Sequence, residues 1–365
     1  MRSTRRSTGA ESGLTMNQAT AADLPQVGAL APGRRNSIAD VPGVTVGHCT
    51  LDAGALQTGV TVVMPHGGDP FAAKVPAAAA VINGFGKSVG LVQVDELGVL
   101  ETPIALTNTF AVGAVAQAQI RHAVAANPEI GRAWPTVNPL VFECNDGHLN
   151  DIQTMAVGEP HYAAACAAAA ADFAQGAVGA GRGMSSFGLK GGIGSASRQV
   201  PGGFHVGALV LSNFGTLPTL TMAGKRLGEE LQARLDAQQA GPEKGSIIMI
   251  LATDAPLDAR QLRRLSLRAG AGLARTGSVF GHGSGDIALA FSTAYTVPQD
   301  ADAAMPSVAM LHESRLDPLF HAAADSVEQA IYHALWLAQG VTGRDGHRRA
   351  GLRELMPDLP ARLRS

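Results

Sequence analysis

Apolar and polar positions along this chain fall into short blocks punctuated by glycine and proline. Val44 to Thr50 and Gly59 to Met64 are rich in β-branched residues and bounded by Gly and Pro, which predicts strands. Ala77 to Ile82, closed by Asn83-Gly84, predicts a third strand and Ala105 to Thr109 a fourth. Phe204 to Leu211, Ile247 to Thr253 and Ile287 to Phe291 continue the series. Between them the pattern changes to that of helices. One is predicted over 113–126, and the run HYAAACAAAAADFAQ at 161–175 predicts another by propensity, with an alanine surface that demands a close neighbour. Leu262, Leu265 and Ala269 share a face within Ala259 to Ala274, as do Val327, Ile331, Ala334, Leu335 and Ala338 within Asp325 to Ala338. Leu227 to Gln239 is mixed, a helix or an exposed segment, and 240–245 reads as a flexible, accessible loop.

Strands and helices alternate, without an internal repeat or a shift in composition, so a single α/β domain over 36–365 is expected. Residues 1–35 are polar and small, and are expected to be disordered. Arg2 and the Arg5–Arg6 pair are not followed by an apolar stretch, so a cytoplasmic protein is expected, starting at Met1 or Met16.

Composition narrows the function classes. A net charge of −2 supplies no field for nucleic acid or an anionic membrane, and no apolar run is long enough to span a bilayer. The three cysteines, Cys49, Cys144 and Cys166, are an odd number at wide spacings, which offers neither a disulfide framework nor a zinc knuckle. Eleven histidines occur without an HExxH pattern, so neither a metal nor another cofactor is expected. The glycines at 179, 181, 183, 188, 191, 192 and 194 match no phosphate-binding fingerprint and are read as close backbone approaches near a catalytic site. Gly281 to Gly285 falls short of a G-x-S-x-G elbow, because His282 and Asp286 occupy the two glycine positions.

The informative feature is Ser246, placed directly after Gly245 at the mouth of an apolar strand. Glycine admits backbone conformations that would press the serine hydroxyl onto the preceding carbonyl. An N-to-O acyl shift followed by hydrolysis would free Ser246 as a new N-terminus. Its α-amine, with an ordinary pKa of roughly 7.7–8.0, could then act as a local base.

The surroundings of Ser246 resemble those of a known family. Gly245-Ser246-Ile247-Ile248, Ala252 to Leu257, Gly272 to Ser278, Gly283 to Ile287 and Ala290 to Ala294 are similar to the β-subunit of the DmpA family, which comprises L-aminopeptidase/D-Ala-esterase-amidases and β-peptidyl aminopeptidases. Upstream, Asp40 to His48, Ile82 to Ser88, Glu101 to Ile104, Asn145 to Gly147, Leu149 to Ile152 and Gly188 to Arg198 follow in family order, so the likeness covers about residues 36–345. The resemblance implies an αββα four-layer sandwich of the DmpA/ornithine-acetyltransferase type, cleaved into an α-chain ending at Gly245 and a β-chain starting at Ser246. It implies an aminopeptidase or amidase acting through an acyl-enzyme on short peptides, amides or esters, and a homo-oligomer of four αβ units. Ser246 matches the nucleophile, Asn213 the oxyanion donor, Ser284 and Asp286 the pair beside the nucleophile and its amine, and Glu143 the carboxylate that holds the substrate's amino group. One position departs: the family often has Tyr after Asn-Asp-Gly, and here His148 stands there as a pocket-lining candidate able to titrate near neutrality. Two other readings are an ornithine-acetyltransferase-like acyl transferase, whose nucleophile is Thr rather than Ser, and an unprocessed binding protein of the same fold.

Overall fold

The computed structural model describes residues 20–235 and 245–364. Its main strands are β1 (Thr45–Leu51), β2 (Thr58–Met64), β3 (Ala73–Gly84), β4 (Ile104–Asn108), β5 (Val141–Cys144), β6 (Gly192–Val200), β7 (Phe204–Asn213), β8 (Ser246–Thr253) and β9 (Gly285–Ser292). Its main helices are α1 (Val112–Ala126), α2 (Glu159–Ala167), α3 (Ala259–Arg275) and α4 (Asp317–Leu337). The smaller sheet runs β1-β2-β4-β5, and the larger has β3-β9-β8-β7-β6 as its body. Neighbours are antiparallel except β4/β5 and β8/β9, which are parallel.

Alternation along the strands divides the apolar residues into layers. Val46, Val63, Leu106 and Phe142 of the smaller sheet meet Leu209, Leu211, Ile248, Ile250 and Leu289 of the larger between the two sheets. The opposite face of the larger sheet, with Ala208, Val210, Met249, Leu251 and Ala288, packs on Leu262, Leu265 and Leu273 of α3 and Val327 and Ile331 of α4. The outer face of the smaller sheet, with Val60, Val62 and Ala105, packs on Val112 and Val115 of α1 and Tyr162 and Ala165 of α2. The result is a four-layer αββα sandwich, as the resemblance implies.

Local chemistry sets the helix boundaries. Asp258 accepts the Gln261 N–H (2.7 Å) while Gln261 Oε1 accepts the Asp258 N–H (3.2 Å), a capping box that starts α3. Pro318 opens α4, which begins well before the predicted Asp325, because residues 319–324 are apolar almost without interruption and carry no period to read. The alanine-rich helix stops at Ala167 instead of continuing to 175. Ala170 exchanges both backbone hydrogen bonds with Val46 (3.0 and 3.1 Å), so pairing with the edge strand β1 overrides propensity. Strand β6 has no counterpart among the expected strands, since Gly192-Ile193-Gly194-Ser195 lacks β-branched bulk. Its Gly194 is demanded by the close approach of α4: a Cβ there would come 1.9 Å from the Ala330 carbonyl oxygen. That glycine serves helix packing, not the catalytic site as expected.

Leu227 to Gln239 yields a helix over Gly228–Arg234, and most of the expected loop before Gly245 lies outside the described residues. Within the segment expected to be disordered, residues 20–35 instead pack on the larger sheet and α4, while residues 1–19 lie outside the described residues. The Val27 N–H donates to Gln329 Oε1 (2.8 Å), its carbonyl accepts two hydrogen bonds from the fully buried Arg198, and the Gly33 N–H donates to Ser197 Oγ (3.1 Å). No helix among the described residues is long and apolar enough to cross a membrane.

Candidate active site

Sheet register brings the nucleophile candidate to its neighbours. Ser246 is the first residue of β8 and lies across from Asn213, the last of β7, on one side and Gly285, the first of β9, on the other. The Gly285 N–H donates to Ser246 Oγ (3.1 Å), and beside it the buried Ser284 hydroxyl donates to Asp286 Oδ1 (2.6 Å). A bulge in the β3/β9 pairing between Asp286 and Ile287 re-aims the start of β9. Asn83 fixes that start, its amide donating to the carbonyls of Gly281 (2.9 Å) and Ser284. Gly245 is required by space: a Cβ would come 2.0 Å from the Asn213 carbonyl oxygen.

The Asn213 side chain is held at both ends. Its Oδ1 accepts the Ser185 N–H (2.8 Å) and its Nδ2 donates to the Asn145 carbonyl (3.1 Å), which leaves its second N–H to offer. Glu143 stands on the smaller sheet, in β5, and is buried. Its Oε1 accepts the Lys87 N–H (2.9 Å) and its Oε2 the Thr109 hydroxyl. The next residue, Cys144, donates its thiol to the Ser246 carbonyl (3.4 Å) and so joins the two sheets under the site. Burial, reinforced by the charges of Glu143 and Asp286, pushes that thiol well above its ordinary pKa, so it is a neutral donor. The segment 84–88 spans from one sheet to the other. Its Phe85 carbonyl lies 2.7 Å from where a Cβ of Gly285 would sit, and a Cβ on Gly86 would lie 3.7 Å from Glu143 Oε1.

Ser246, Asn213, Ser284 and Asp286 therefore converge, with Glu143 one residue from the cross-sheet contact. His148 is placed differently. Its ring stacks on His347 with centroids 4.8 Å apart and 8° between planes. Burial first, then the charges of Arg349, His347 and Arg344, push its pKa down to about 4. Contrary to the expectation of a group titrating near neutrality, the ring is neutral there. Among the described residues no cluster of three or more His, Cys, Asp or Glu side chains is arranged to hold a metal. The sequence offered no sign of Cys144, Thr109 or Ser185 as supports. Asn145 belongs to a segment similar to the family's, but its carbonyl's contact with Asn213 comes from the fold.

The fold is that of the Ntn hydrolases, and comparison with known proteins gives the family. The model of peptidase family S58 matches residues 36–349, and the chain belongs to that family. It is 38% identical over 343 residues to the beta-peptidyl aminopeptidase BapA of Sphingosinicella microcystinivorans, covering 87% of this chain and 85% of the relative. Its fold superposes on a Burkholderia sp. beta-aminopeptidase with a TM-score of 0.84 at 42% identity, over 93% of this chain and 95% of the other. The L-aminopeptidase D-Ala-esterase/amidase of Ochrobactrum anthropi, described as a prototype for the serine aminopeptidases and a variant of the Ntn-hydrolase fold, gives a TM-score of 0.84 at 34% identity, over 92% of this chain and 97% of the other. The protein is a serine aminopeptidase, and neither the acetyltransferase nor the binding-protein reading is favoured.

Proposed function

We propose that the chain cuts its own Gly245–Ser246 bond and then uses Ser246 as the nucleophile of an aminopeptidase and amidase. In the first step Ser246 Oγ attacks the Gly245 carbonyl carbon, the amide becomes an ester, and water releases a Gly245 carboxylate and a free Ser246 amine. In turnover the carboxylate of Glu143 holds the ammonium of a short peptide, amide or ester, and Ser246 Oγ attacks the first acyl carbon. The new α-amine takes the hydroxyl proton and passes it to the leaving group. The second Asn213 N–H faces the developing oxyanion. The Ser284–Asp286 pair orients the amine, and water resolves the acyl-enzyme.

The observation that carries this reading is the setting of Ser246 Oγ, which accepts the Gly285 N–H one residue from the Ser284–Asp286 hydrogen bond, behind a Gly245 with no room for a side chain. Substrates such as those named for the relatives, β-peptides or D-alanyl esters and amides, fall within it. So do assembly into four αβ units, for which exposed Val81, Phe85, Val92 and Leu97 supply apolar surface, and a cytoplasmic location, with which the free thiols of Cys49, Cys144 and Cys166 agree. Intact-mass measurement tests the central claim. Wild type should give two fragments divided at Gly245–Ser246, and Ser246→Ala one uncut chain with activity on an aminoacyl p-nitroanilide reduced at least about 10⁴-fold. An uncut wild-type chain with full activity would falsify it.

A further inference from the structure

An amide terminus has a broad torsional preference, so its direction is set by its neighbours and not by its own rotamer. The two groups that hold Asn213, Ser185 N–H and Asn145 C=O, both lie outside the two main sheets: Ser185 in a two-residue strand, Ser185–Ser186, paired with Leu189–Lys190, and Asn145 just past the end of β5. The C-terminal hairpin, Val341–Thr342 paired with Arg348–Arg349, touches both segments. Its turn binds the Asn145 side. Arg344 Nε donates to the Gly147 carbonyl (2.7 Å), the Arg344 N–H donates to Leu149 (2.8 Å), and His347 Nδ1 donates to the His148 carbonyl (2.9 Å) under the stacked rings. Its second strand binds the Ser185 side. Arg349 Nε donates to Ser185 Oγ (3.3 Å), and the Ala350 carbonyl accepts the Lys190 N–H (2.8 Å). From beneath, the fully buried Lys190 ammonium pins the same loop through the carbonyls of Gly181 (2.9 Å), Met184 (2.7 Å) and Gly191 (2.8 Å).

We propose that Arg344 and Arg349 are positioning residues for the Asn213 amide, each anchoring one of the two segments that hold it, so that the hairpin sets the direction of the oxyanion donor. This rests on the reading of Asn213 given above. A donor for a transient charge works only if it is aimed in advance, and a misplacement of about 1 Å can cost on the order of 10²-fold in rate. The loss therefore belongs in kcat, not in the binding of the ground state.

The experiment uses the full-length, matured enzyme and an aminoacyl p-nitroanilide, with rates counted per cleaved chain and folding checked by melting temperature. Arg344→Ala should lower kcat roughly 10- to 50-fold with KM within about 2-fold, and Arg349→Ala should lower it less, because its bond to Ser185 Oγ is longer (3.3 Å) than that of Arg344 to the Gly147 carbonyl (2.7 Å). Arg344→Lys should recover part of the loss, since an ammonium can still reach the Gly147 carbonyl. Arg348→Ala is the control. Arg348 is on the same hairpin, and its loss breaks an exposed ion pair with Glu354 of the following short helix (2.5 Å) and should leave kcat unchanged. In an Asn213→Ala background, adding Arg344→Ala should cost nothing further. An unchanged kcat in Arg344→Ala, a loss of the same size with and without Asn213, or an equal loss in Arg348→Ala overturns the proposal. Wild-type kcat in Asn213→Ala alone overturns the reading of Asn213 instead. If Arg344→Ala does not fold, Arg344→Lys and Arg349→Ala carry the same double-mutant test.

Discussion

The two sheets serve the site in different ways. The larger contributes adjacent strand ends: Asn213, Ser246 and Gly285 sit side by side because β7, β8 and β9 are in register, so backbone hydrogen bonding alone fixes their spacing. The smaller contributes one side chain, Glu143, aimed by groups from distant parts of the chain. On the proposed mechanism, the bond-breaking groups start from neighbouring strand ends of one sheet, and the group that would recognise the substrate's amine stands alone on the other. The contrast matches what each task tolerates, since attack at a carbonyl needs finer alignment than an ion pair does.

Substitutions can break this comparison. The largest effect after loss of the nucleophile is expected on the larger sheet. Asn213→Ala should lower kcat about 10²- to 10³-fold with little change in KM, read from steady-state kinetics. A change confined to KM would mean that this sheet also handles ground-state binding. Glu143→Gln comes next, with kcat/KM falling about 10- to 100-fold, chiefly through KM, because one charge-assisted contact to the substrate ammonium is lost. A kcat-only effect there would erase the division of labour.

Cys144 joins the frames, so its replacement sharpens the comparison more gently. Cys144→Ala removes a weak thiol donor from the Ser246 carbonyl and should lower kcat about 2- to 5-fold, with Cys144→Ser closer to wild type. Equal kcat in all three proteins would show that the sheets need no such link.

The smallest effect concerns the scaffold shared by both sheets. Burial is the first cause that pushes His48, His148 and His333 down to about 4. The unfolded chain, with histidines near roughly 6.5, therefore binds more protons than the folded one between those values, and their stabilisation is lost as pH falls through the window. Asp146 runs the other way. Burial raises it to about 6, so its contribution is present at low pH and lost as pH rises through that value. Three groups against one leave the unfolded chain about two protons ahead near pH 5. The melting temperature should therefore climb from about pH 4.5 to 6.5, and His333→Gln should flatten the climb, a result calorimetry can check.

Much of this was legible in the chain itself. A serine after glycine, followed by Ile-Ile-Met-Ile, marks a buried strand with a reactive candidate at its mouth, because β-branched and apolar runs have few other folded uses. Ser284 and Asp286 came through family resemblance, and their spacing of two, which puts both on one side of an extended segment, agrees with the hydrogen bond between them. Glu143 and Asn213 were legible only through family resemblance, for nothing in their own neighbourhoods marks a carboxylate or an amide as functional.

What the order of residues determined is thus most of the strands, though neither β5 nor β6, and the reactive candidate at the mouth of one of them. What only tertiary structure decided is aim. Glu143 is held by Thr109 and Lys87, 34 and 56 positions away in the chain, and Asn213 by Ser185 and Asn145, 28 and 68 positions away. Strand formation follows from periodicity that any short window displays. The direction of a side chain at a site is fixed by hydrogen bonds between segments whose meeting depends on the packing of the whole domain.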